Sequence, residues 1–72
     1  MDKIIQLYEQ KVELLTLEIE ATKRLDIAVM ANNKARITEY LNDINRIHSL
    51  LEVTNKAIKI AESIYEMEQI CF

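Results

Sequence analysis

Neither glycine nor proline occurs anywhere in the 72 residues of this chain. That double absence decides most of what it can fold into. Tight strand-to-strand turns, glycine-rich phosphate loops and dinucleotide fingerprints all rely on residues that accept positive φ or preset it. Helices joined by few turns remain. Apolar residues recur at intervals of three and four, the helical period. Hydrophobic residues make up 50% of the chain and charged ones 29%, a balance that fits neither disorder nor a membrane span. The longest apolar run, Ile27-Ala28-Val29-Met30-Ala31, falls far short of the ~20 residues needed to cross a bilayer. The N-terminal Met1-Asp2-Lys3-Ile4-Ile5-Gln6 lacks the basic and apolar regions of a secretory signal. A soluble cytoplasmic protein is the expectation. The single cysteine, Cys71, allows neither an internal disulfide nor a zinc site, and suits a reducing compartment.

In the first half, Ile5, Tyr8, Val12, Leu15 and Ile19 form one apolar stripe, with Ile4, Leu7, Leu14, Ala21, Leu25 and Ala28 beside it. Glu20 and Arg24 are spaced as an i,i+4 pair. The break falls at Asn32-Asn33. Asparagine is the non-glycine residue that most readily takes the left-handed conformation closing a helix, and it is also a good N-cap. One Asn can end the first helix while the other begins the second. The expected domain is therefore a single unit with a helix over 3–31, a turn at 32–33 and a helix over 34–71. Its second helix carries a heptad seam of Ile37, Tyr40, Ile44, Ile47, Leu51, Thr54, Ile58, Ala61, Tyr65, Glu68 and Phe72. From Leu50 a second seam runs one residue away, through Val53, Ala57, Ile60, Ile64, Met67 and Cys71. A helix with two adjacent seams normally touches two neighbours.

The fold class expected is all-α: an antiparallel two-helix hairpin that self-associates into a four-helix bundle or packs on partner helices. Size points the same way. A chain of this mass exposes roughly 12,000 Å² unfolded and about 4,600 Å² as a compact monomer, a marginal burial for independent stability. A third helix starting at Thr54, capped there with Val53 and Ile58 as a hydrophobic staple, is the second choice; one uninterrupted helix of about 100 Å is the third.

Folding at Asn32-Asn33 sets Leu25 near Tyr40, Ile19 near Arg46 and Ile47, and Ile5 near Ile60. In that register the first helix ends level with Ser63. Ile64, Tyr65, Met67, Ile70, Cys71 and Phe72 then overhang it, and burying six such side chains is worth on the order of 6–12 kcal/mol before ordering costs. Ile60, Ile64, Tyr65, Met67, Ile70 and Phe72 are the expected partner-binding residues, met by a second copy or by another protein's helix. Cys71 reads as a small buried hydrophobe.

Catalysis finds little support. His48 is the only imidazole, and although Glu52 is placed to orient it, no nucleophile or second ligand completes a constellation. The carboxylates are spread as solvating charge, with no Glu-x-x-His pair to hold two irons. No catalytic, cofactor or metal residue is expected. Lys23, Arg24, Lys34 and Arg36 flank the turn and make its tip basic despite a net charge of −3. The alternative function is thus a dimeric hairpin regulator of Rop type, touching RNA through those four residues. No aromatic residue stands among them to stack on bases.

Across Tyr8 to Ala57 the chain resembles the small flagellar export chaperones of the FliT and FlgN type. The resemblance lies in Tyr8-Glu9 and Leu14-Leu15-Thr16-Leu17, the polar joint at Asn32-Asn33, the run from Ile37 to Ile47, and Leu50-Leu51. It implies a cytoplasmic helical hairpin that shields helical tails of exported subunits, with the C-terminal overhang as the docking or self-masking element. The chain is shorter than most members and lacks their usual longer C-terminal part.

Overall fold

The structure is a computed structural model that describes residues 2–70, with Ile70 described by its backbone alone. It contains two helices, α1 (Asp2–Met30) and α2 (Lys34–Ile70), packed side by side as an antiparallel hairpin. α2 passes through Thr54 without a break, so neither the three-helix arrangement nor the single long helix forms.

The reversal is built from the two asparagines. Asn32 takes a left-handed φ of 54°. Its N–H donates to the Val29 carbonyl and that of Asn33 to the Ala28 carbonyl, each at 3.0 Å. Those two bonds are the Schellman closure of a helix, satisfying carbonyls that α1 would otherwise leave unpaired. Asn33 then opens α2. Its side-chain Oδ1 accepts from the Arg36 backbone N–H at 3.3 Å, and its carbonyl accepts the first helical bond, from Ile37, at 3.0 Å. One residue ends the first helix and its neighbour caps the second.

The contact between the helices runs along the heptad seam of α2. Leu51, Thr54 and Ile58 are buried there, with Ile37, Tyr40, Ile44, Ile47 and Ala61 half-buried. On α1 the seam is not the stripe of Ile5, Tyr8, Val12, Leu15 and Ile19, all of which are exposed. It is the neighbouring row of Ile4, Leu7, Lys11, Leu14, Glu18, Ala21, Leu25 and Ala28, every one of them buried or half-buried. The reason is phase and bulk together. The exposed stripe runs into Thr22 and Asp26 before it reaches the turn. The other row holds its three-four spacing over the whole helix and offers small residues to the large side chains of α2. Ala28 retains 5% of its surface and so does Ile58. Two polar members, Lys11 and Glu18, disguise this row. Lys11 is half-buried, which its long aliphatic stem tolerates while the charged end stays in water.

α1 has 29 residues and α2 has 37, so from their shared turn α2 extends about 12 Å past the start of α1 at 1.5 Å per residue. Tyr8 Oη donates to Glu62 Oε1 at 3.0 Å, since Tyr8 leans toward the open end and Glu62 back toward the turn, each side chain tilting toward its own N-terminus. Lys3, Ile4 and Leu7 share a groove with Ile64, Tyr65 and Glu68. Asp2, where α1 begins, stands about level with Ser63 of α2, as expected, and Ile64 and Tyr65 border that end through the groove they share with Lys3 and Ile4.

Candidate docking interface

Two flanks adjoin an antiparallel seam, and each helix contributes to both. Residues one step after each seam position lie on one face of the hairpin: Tyr8 and Leu15 on α1, Leu41, His48 and Glu62 on α2. Residues one step before lie on the other: Leu17 and Arg24 on α1, Asp43, Leu50, Ala57 and Ile64 on α2. The contacts follow this division. Tyr8 meets Glu62 on the first face, while Leu17, Arg24, Asp43 and Leu50 line one groove of the second.

Each face carries one unpartnered apolar row, from a different helix. The first face bears the α1 row from Ile5 to Ile19; Val12 at its centre keeps 61% of its surface. The second bears Leu50, Val53, Ile60, Ile64 and Met67 of α2, with Ile60 at 62% and Met67 at 63% exposure. Ala57 is half-buried among them. Beside this row lies a groove of about 460 Å³, walled by Lys3, Ile4 and Leu7 of α1 and by Ala57, Ile60, Ala61, Ile64, Tyr65 and Glu68 of α2. Tyr65 is 37% exposed at its edge. Ile60, Ile64, Tyr65 and Met67 are thus brought together along the open end of the hairpin. The side chain of Ile70, together with Cys71 and Phe72, lies outside the described residues. Leu50 and Val53 belong to the same row, although the expected set began at Ile60. The second seam, read from its first residue, already contained them.

Polar groups do not converge in a comparable way. His48 Nε2 lies 3.0 Å from Glu18 Oε2 across the hairpin, and Glu52 instead pairs with Lys56 at 3.6 Å along its own helix. Glu20 and Arg24 form no ion pair, although both line the groove with Leu17. Among the described residues no group of three His, Cys, Asp or Glu side chains stands close enough to hold a metal ion. The phenol of Tyr8 is raised above its ordinary value, first by its hydrogen bond to Glu62, then by loss of water and by the nearby carboxylate charge.

At the tip, Arg24 and Arg36 line a shallow groove of about 260 Å³ with Ile27 and Tyr40. Arg36 Nη1 is engaged at 3.3 Å by Glu39 Oε2. Lys23 and Lys34 are exposed and line no part of that groove. The four cations surround the turn without forming a single patch. No helix of the described residues is long and apolar enough to cross a membrane.

No family model matches this chain, and comparison with curated proteins and with solved structures gives no match.

Proposed function

We propose that this chain is a non-enzymatic interaction module, a small cytoplasmic chaperone or adaptor that binds a helical segment through the apolar C-terminal half of α2. The observation that carries the reading is the exposed row of Leu50, Val53, Ile60, Ile64 and Met67 alongside a groove walled by both helices. A guest helix laid there finds anchors at three-four spacing and a cleft for its own side chains, the arrangement of helix-in-groove recognition. Met67 and Tyr65 suit an adaptable surface. The resemblance to flagellar export chaperones, which shield helical tails, points to the same kind of guest. RNA contact through Lys23, Arg24, Lys34 and Arg36 ranks below this, since the tip gathers them only loosely and Glu39 already engages Arg36.

The test compares the full chain with one ending at Ser63 and with Ile60→Glu. Each is used in pull-downs and weighed in solution. The full chain retains a helical protein or pairs with itself, and both altered chains lose that association. Equal retention by all three overturns the reading. Steeply salt-dependent RNA retention, lost in Lys34→Ala with Arg36→Ala, replaces it with the regulator.

A further inference from the structure

We propose that the exposed row on α2 is the contact surface of a homodimer, in which α2 of one copy packs antiparallel on α2 of the other about Ala57 and Ile60. The proposal rests on the reading that this face binds a helix, and it names that helix. Leu50, Val53, Ala57, Ile60, Ile64 and Met67 are separated by three, four, three, four and three residues. That series is the same in both directions. Reversed against itself, the row sets Leu50 opposite the partner's Met67, Val53 opposite the partner's Ile64, and Ala57 opposite the partner's Ile60. Every layer is apolar, and the small Ala57 receives the branched Ile60 at the centre. Sliding the copies by one heptad leaves one end of each row uncovered.

The α1 row behaves differently. Its positions 5, 8, 12, 15 and 19 are separated by three, four, three and four residues, a series that changes on reversal, so no antiparallel self-pairing matches every layer. Area favours association as well. The chain exposes 5896 Å², about 1,300 Å² more than a compact protein of its mass. A standard interface takes about 800 Å² from each partner, so one such contact fits within the excess.

Spin-label distances test the register. In a Cys71→Ser background, single labels are placed at Asn45, Glu52 and Lys59, all exposed and all on one outer line of α2. The antiparallel pair offsets the two labels along the helix by about 40, 20 and 2 Å respectively, at 1.5 Å per residue. The expected result is twice the chain mass of 8.4 kDa and separations that shorten in the order 45, 52, 59. Ile60→Glu, which leaves the helical circular dichroism unchanged, raises the dimer Kd by about 100-fold or more. A monomer at 100 µM, equal separations at the three sites, or a minimum away from Lys59 overturns the proposal. A monomer that still retains a helical partner, lost in Ile60→Glu, shows the face to be a helix-binding surface with a different occupant. An Ile60→Glu variant that changes neither mass nor binding removes both.

Discussion

Asn32 and Asn33 do adjacent jobs with different chemistry, and substitution separates them. Asn32 stands at φ 54°, where glycine is free of the Cβ penalty. Asn32→Gly is expected to stabilise the hairpin by about 0.5 kcal/mol. Asn33 contributes a side-chain acceptor to the Arg36 N–H. Asn33→Ala is expected to cost about 1 kcal/mol. Urea unfolding of the two variants beside the parent checks the opposite signs. A second residue-scale consequence concerns Tyr8. Its phenol donates to Glu62, and its raised pKa means that the folded chain holds that proton more tightly than the unfolded one. The stabilisation is fully present below the ordinary phenol value of about 10 and is lost as pH rises through the higher folded value. In an absorbance titration, Glu62→Gln should return the Tyr8 midpoint toward that ordinary value.

Among the elements, α1 shows how a seam can be hidden from sight in a sequence. Its longest unbroken set of large apolar residues, Ile5 through Ile19, faces outward, while the true contact row includes Lys11 and Glu18. Ile58→Ala is expected to cost about 2–4 kcal/mol, because a buried seam side chain leaves a cavity. Val12→Ala should change stability by no more than about 0.5 kcal/mol in the isolated chain. Thermal unfolding of the two variants distinguishes the faces. α2 was more legible. Its seam from Ile37 to Ala61 keeps one phase with a single polar interruption at Thr54, and the matching burial follows directly from that periodicity. The asparagine turn was legible for a similar reason, since left-handed closure and N-capping are local chemistry. The choice between two neighbouring rows on α1 was not, because it depends on which row the bulk of α2 selects. Register along the hairpin followed from the turn and the helix lengths, whereas the groove that Lys3, Ile4 and Leu7 wall with Tyr65 depends on side-chain length and tilt, which the pattern does not show. The open-end docking residues were visible as a second seam, and only the structure shows that α1 walls the groove beside them.

The whole molecule is a rod of 60 × 14 × 12 Å with a radius of gyration of 17.0 Å, where a compact domain of this length has about 11 Å. Among the described residues the buried hydrophobic core is Ala21, Ala28, Leu51 and Ile58, and the proposed dimer would add to that burial. The thermal midpoint is therefore expected to rise with protein concentration, by mass action on the associated form. Scans at 5 and 200 µM that superimpose would contradict this. The two apolar rows lie on opposite sides of the rod, and that placement has an outcome for stoichiometry. When α2 rows join two copies, both α1 rows are left pointing away from the junction, related by a twofold axis. The proposed dimer would then present that face twice, so any ligand of it would find two equivalent sites per dimer and, if itself double, gain avidity without any new kind of contact.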